Sequence, residues 1–199
     1  MDCNIFPIGN EYYERYTCFF AISLPPAIQE NIRSNLEPLR QMAPVHSIRW
    51  TKPMHLHITL QFLQRLETKH IQVLIEKVSN ELNHIKQFDL EFGVLEWFPS
   101  PKNPRLISLS VDPQDRLRDW SRMIGQVVDS LKYPLEKRPF RGHLTVGRVV
   151  NFSPKLQQLL QIKFPIIPPV PINKFYLIES RPDKEGSNYF PLAQFDLTR

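Results

Sequence analysis

Apolar residues along this chain recur with two periods, and the alternation between them lays out a mixed α+β protein. Residues 16–24 form a short apolar and aromatic run closed by Pro25-Pro26, which reads as a buried strand whose prolines suit the start of a helix. Ile28, Ile32, Leu36 and Leu39 then fall on one helical stripe, which Pro38 is expected to kink or end and Pro44 to stop. A second helix, capped by Thr68, is predicted from Ile71, Leu74, Ile75, Val78 and Leu82, followed by a strand over residues 88–98 that ends in turn residues 99–104. The order then starts again. Residues 106–111 predict a strand, Asp112-Pro113-Gln114-Asp115 a capped helix start, and Leu117, Trp120, Ile124, Val127, Val128 and Leu131 its buried stripe. Ser153-Pro154 opens a short helix, a proline-rich connector over residues 165–171 leads to a strand at 174–180, and residues 189–197 read as a hairpin strand after the turn at 182–188.

Between the helices lie two strand-like runs of one design: Met54-His55-Leu56-His57-Ile58-Thr59-Leu60-Gln61-Phe62-Leu63 and Phe140-Arg141-Gly142-His143-Leu144-Thr145-Val146-Gly147-Arg148. A strand's period of two puts His57 with Thr59, and His143 with Thr145, on one face, and turns Ile58, Leu60, Leu144 and Val146 to the core. One His-x-Thr run carries little weight, because the pattern recurs by chance; two, each in an apolar run, carry much more. His57 precedes His143 by 86 positions and Ser23 precedes Ser110 by 87, a nearly constant offset. The chain therefore reads as a duplicated fold, a single domain over residues 1–199 made of two pseudo-symmetric lobes, with one motif near 57–60 and the other near 143–146. Such symmetry lets the two His-Thr pairs face each other across one cleft.

Composition narrows the setting. The 199 residues can bury a sizeable core without staples. Cys3 and Cys18 are too few for a disulfide framework and lack metal-site spacing, which points to a reducing, cytoplasmic compartment. Residues 1–15 hold Asp2, Glu11 and Glu14 and no unbroken apolar segment, unlike a signal peptide, and no run is long enough to span a membrane. A formal net charge of +5 suits an anionic partner, but the basic residues are spread rather than blocked. Six glycines form neither a Walker-type nor a dinucleotide fingerprint, so a nucleotide would be held another way.

Two histidines converging on one site can act as complementary base and acid, because imidazole's unperturbed pKa of about 6.5 keeps both forms available near neutrality. The neighbouring threonine hydroxyls can donate to phosphoryl oxygens as charge shifts in the transition state. This is the inventory for cleaving a phosphodiester without a metal. Arg141 shares the parity of His143 and Thr145 and could add a bidentate contact to an anion; Arg148 has the opposite parity and needs a bulge or a strand end to reach the site. Trp50 is a core residue or a surface for a base, and Phe19, Phe20 and Trp97 are core candidates. Arg49, Lys52, Arg65, Lys137, Arg138 and Arg181 form either a basic rim or ordinary solvated charge. His46, His70 and His84 read as surface residues. His55 and His57 would also make a His-x-His pair on one strand face able to chelate zinc, but a third protein ligand is missing from the pattern.

At these motifs the sequence resembles the two-histidine (2H) phosphoesterases, and within them the bacterial and archaeal RNA 2',3'-cyclic phosphodiesterases also called 2'-5' RNA ligases. The resemblance runs from Phe20-Ala21-Ile22 through Arg49-Trp50 and the two motifs to Leu177-Ile178-Glu179-Ser180-Arg181, Gly186 and Tyr189. It implies a bilobal α+β fold with antiparallel sheets lining a central cleft and helices outside. It also implies cofactor-free hydrolysis of a 2',3'-cyclic phosphate on an RNA end to a 2'-phosphate, with a related 2'-5' ligase activity. His57 would be the proton donor and His143 the proton acceptor, Thr59 and Thr145 would hold the phosphoryl oxygens, and Arg141, Arg148 and Trp50 would bind substrate. No metal is implied, and a cytoplasmic monomer is expected. Gly142 stands where this family usually has proline, which loosens the backbone there, and Gly147 where it usually has a small apolar residue or alanine. A 2H enzyme acting on a small cyclic nucleotide, and a non-catalytic binder of nucleotides or RNA ends, are the alternatives.

Overall fold

The computed structural model describes residues 3–6, 15–184 and 186–199, so most of the polar leader read at residues 1–15 lies outside the described residues. In chain order the elements are β1 (Cys3–Ile5), β2 (Arg15–Ser23), α1 (Pro26–Met42), β3 (Ile48–Trp50), β4 (His57–Glu67), α2 (Thr68–Glu81), β5 (Phe88–Phe98), β6 (Leu106–Asp112), α3 (Gln114–Ser130), β7 (His143–Val149), α4 (Pro154–Gln157), β8 (Val170–Ile172), β9 (Lys174–Asp183) and β10 (Gly186–Asp196). The predicted α+β architecture is present. The strands run β1-β10-β9-β2-β4-β7-β6-β5-β8, all neighbours antiparallel, with β3 added against β7. From the centre outward, β4-β2-β9-β10 mirrors β7-β6-β5-β8. The two halves meet at the join of β4 with β7, which is paired through a single residue on each side, Ile58 and Leu144.

A large core lies beneath the join, and a smaller cluster of Phe19, Ala21 and Ile178 lies apart from it. Ile58, Leu60, Leu144 and Val146 are buried in the same apolar cluster as Ile32, Leu36 and Leu39 of α1, Ile71, Leu74, Ile75 and Val78 of α2, and Leu117, Trp120, Ile124 and Val128 of α3. The helices cover that face of the sheet, leaving the other face to the His-Thr pairs.

Several elements depart from the expectation, each for a local reason. α1 runs through Pro38, which lies on the exposed side where the carbonyl it leaves unpaired meets water. Thr68 is the first helical residue of α2 rather than its cap, and Pro113 precedes α3 with no side-chain cap. The first motif does not begin as a strand at residue 54. A 3-10 turn, Pro53–His55, precedes β4, so His55 and His57 do not share one strand face. β8 is hidden inside the proline-rich connector; Pro171 is tolerated because β8 is an outer strand paired with β5 alone. Among the described residues no helix is long and apolar enough to cross a membrane.

Because Ile58 is fully buried at the join of the halves, Ile58→Ala is expected to destabilise the protein by about 2–5 kcal/mol in urea unfolding. A loss well under about 1 kcal/mol would contradict tight packing at that join.

Candidate active site

The two motif strands carry the same irregularity at the same place. Across β2 and β4, Ala21 faces Thr59 and Phe20 faces Gln61, so Leu60 is an extra residue; across β6 and β7, Ser108 faces Thr145 and Ile107 faces Gly147, so Val146 is extra. Each is a β-bulge placed just after the motif threonine. The extra residue reverses strand parity and brings the residue five after each histidine, Phe62 or Arg148, back to the face that holds His and Thr. His57, Thr59, Phe62, His143, Thr145 and Arg148 all line one cleft of about 420 Å³. The bulge required for Arg148 to reach the site is therefore present. Its counterpart in the first motif delivers Phe62, which sequence reasoning missed although the five-residue spacing is the same.

Both histidine rings are held alike. His57 Nδ1 lies 2.7 Å from His55 O and His143 Nδ1 lies 2.9 Å from Arg141 O, in each case the carbonyl two residues back. A carbonyl only accepts, so Nδ1 carries the proton in both rings, and Nε2 is the atom left for chemistry. His57 Nε2 is 3.1 Å from the Thr59 hydroxyl, which donates to it when the ring is neutral. Each ring is also backed by a phenylalanine: His57 stacks on Phe19 with centroids 4.8 Å apart and His143 on Phe98 at 3.8 Å. Tyr189 on β10 meets His57 edge-on at 5.4 Å and His55 at 4.5 Å, closing the first-lobe wall.

The cleft is electropositive. Arg49 on β3 pairs directly with Arg148 on β7, both side chains line the cleft, and neither forms an ion pair among the described residues. Like charges directly opposite each other are unfavourable in a sheet, and an anion between them relieves the repulsion. Gly147 makes this approach possible, since a Cβ there would lie 2.6 Å from Ile48 Cγ2 and 3.1 Å from Ile107 Cγ2. Trp50 and Lys52 line the cleft as well, and the Arg40 guanidinium lies 5.7 Å from the Trp50 ring centroid.

Other expected residues are elsewhere. Arg141 precedes β7, so strand parity does not govern it; it lies over Phe98 at 4.4 Å, pairs with Glu96 at 3.2 Å and does not line the cleft. Arg138 pairs with Glu136, and Arg181 makes a bidentate pair with buried Glu179. Arg65 and Lys137 do not line the cleft. Phe20 and Trp97 are core as expected, whereas Phe19, buried too, spends its ring face on His57. His46 and His84 are exposed, and His70 is half-buried with its Nδ1 2.6 Å from the Tyr133 hydroxyl. No group of three or more His, Cys, Asp or Glu among the described residues is arranged to hold a metal ion.

Burial and neighbouring cations hold both imidazoles below their usual range. Desolvation dominates for His57, assisted by His55, Arg148 and His143 against the opposing hydrogen bond to His55 O, and brings it to about 4. Desolvation also lowers His143, with Arg141 and Arg148 adding to the effect. Burial raises the Tyr189 phenol, so it stays protonated.

Residues 18–183 match the profile of the family described as the 2'-5' RNA ligase superfamily. The chain is 26% identical over 135 residues to the RNA 2',3'-cyclic phosphodiesterase of Archaeoglobus fulgidus, covering 67% of this chain and 75% of that protein. It is 23% identical over 172 residues to the protein of the same name from Thermotoga maritima, covering 86% and 90%. Among solved structures, E. coli LigT complexed with 3'-AMP superposes with a TM-score of 0.76 at 22% identity, over 94% of this chain and all of that one. The MHV ns2 PDE domain gives 0.52 at 12% identity, over 82% and 98%. At these identities the likeness speaks to the fold.

An NMR titration of the imidazoles in the empty protein checks the electrostatics. His57 is expected to stay neutral until the pH approaches about 4, and His143 to titrate below 6.5. Since both folded-state values lie below the unfolded one, the unfolded chain takes up protons first, and folding stability falls as pH drops from 6.5 toward 4. His57 titrating at or above 6.5 would contradict this picture of the cleft.

Proposed function

Because the chain belongs to the 2'-5' RNA ligase superfamily, we propose that it hydrolyses RNA ends bearing a 2',3'-cyclic phosphate to 2'-phosphates, with His57 and His143 as an acid/base pair. The observation that carries this reading is the matched pair of imidazoles lining one cleft, each with Nδ1 pinned to the carbonyl two residues back. Neither ring needs to turn to do its part.

In this mechanism the cyclic phosphate sits over the β4–β7 join, its charge met by Arg148 and Arg49. His143 Nε2, neutral at pH 7, takes a proton from water as the water oxygen bonds to phosphorus. The bond from phosphorus to the 3'-oxygen breaks, and protonated His57 gives its Nε2 proton to that oxygen, leaving the phosphate on the 2'-oxygen. The Thr59 and Thr145 hydroxyls donate to the non-bridging oxygens as their charge grows. In the empty cleft His57 is held neutral; the incoming phosphodiester supplies the negative charge that lets it take up a proton, so substrate arms its own acid. A 5'-hydroxyl in place of water would give a 2'-5' linkage by the same steps. Trp50, half-buried beside the cleft, offers its ring to a base.

The test is a short RNA ending in a 2',3'-cyclic phosphate, incubated with excess EDTA and followed by the position of phosphate in the product. Turnover to a 2'-phosphate is expected, and His57→Ala and His143→Ala should each lose roughly 10²-fold or more while remaining folded. A 3'-phosphate product, or activity abolished by EDTA and restored by zinc, would overturn the mechanism. Turnover of a mononucleoside cyclic phosphate but not of RNA would shift the substrate to a small nucleotide.

A further inference from the structure

The two halves hold their catalytic rings by the same hydrogen bond but support that bond differently. In the first half the accepting carbonyl belongs to a locally bonded turn, with the His55 N–H donating to Lys52 O at 2.9 Å and the Leu56 N–H to Pro53 O at 3.0 Å. In the second half it belongs to residues 134–142, which have no regular secondary structure. Among the described residues, that stretch makes no main-chain to main-chain hydrogen bond outside helices and strands. Yet Gly142, the most permissive residue for backbone conformation, stands next to the carbonyl that must be fixed.

A side chain from α3 takes the place of the missing turn. Gln114 Oε1 accepts the Gly142 N–H at 2.9 Å, while Nε2 donates to Gly142 O at 2.8 Å and to Val111 O at 2.6 Å. The Gly142 N–H and the Arg141 carbonyl are the two ends of one planar peptide group. Gln114 therefore holds one end of the same rigid unit whose other end takes the His143 Nδ1–H at 2.9 Å, and hydrogen bonds in such a chain strengthen one another. The fit depends on glycine: a Cβ at residue 142 would lie 2.8 Å from Leu117 Cδ1 and 3.4 Å from Gln114 Nε2. Far from loosening the backbone, Gly142 admits the clamp, and its N–H, which a proline would lack, is part of it.

We propose that Gln114 is the positioning residue for His143, fixing ring orientation and the Nδ1–H tautomer through the peptide between Arg141 and Gly142. Its kinetic consequence rests on the acid/base reading given above; its structural consequence does not. The experiment uses Gln114→Met, which fills similar space without hydrogen bonds, with Gln114→Glu as a second variant that can accept the Gly142 N–H but cannot donate to the two carbonyls when ionised. In the substrate-free protein the His143 Nδ1–H resonance is expected to exchange faster with water in Gln114→Met, while that of His57 is unchanged. With the cyclic-phosphate RNA, kcat should fall about 10-fold or more with KM little altered. Should the Met variant fail to fold, the Glu variant is read by the same two signals, with a loss expected in both. An unchanged His143 resonance in a folded variant overturns the proposal. If the wild-type protein fails to cleave this RNA, the functional reading falls while the resonance still decides the role of Gln114.

Discussion

The site depends on a single contact between two strands. Among the described residues β4 and β7 pair at Ile58 and Leu144 alone, and each lies between the histidine and threonine of its motif. An antiparallel pair at that point sets the two motifs about a local dyad, running in opposite directions, with both His-Thr faces turned the same way. The same two side chains point into the shared core beneath the cleft. Packing in that core and the spacing of the two His-Thr pairs are thus one constraint.

Around this join the two motif strands share one form but deliver different side chains. The bulges after Thr59 and Thr145 are equivalent, but one delivers an aromatic ring at Phe62 and the other a cation at Arg148. Desolvation is the main cause of lowering at both histidines, and it brings His57 to about 4.

Much of this was legible in the sequence because it rests on period and spacing. The His-Thr pairs, their burial partners Ile58, Leu60, Leu144 and Val146, and the repeated element order all follow from those. For Arg148 parity left a bulge or a strand end as the ways to reach the site, and the same reasoning at Phe62 would have raised that ring as a candidate too. What the sequence hid depends on tertiary contact. Phe19, Phe98 and Tyr189 back the imidazoles from three other strands, and no local pattern connects them to the motifs. Arg141 was misplaced by extending β7 two residues too early, into a segment fixed by Gln114 from another element. β8 was lost among prolines because an outer strand tolerates what an inner one does not.

The pH dependence of kcat/KM on cyclic-phosphate RNA addresses the pairing of the two histidines most directly. A bell is expected for the wild-type protein, because one histidine must be protonated and the other neutral. Measured at high enzyme concentration, His57→Ala should lose one limb and His143→Ala the other. Both variants retaining the complete bell would contradict an acid/base pair built across the Ile58–Leu144 join.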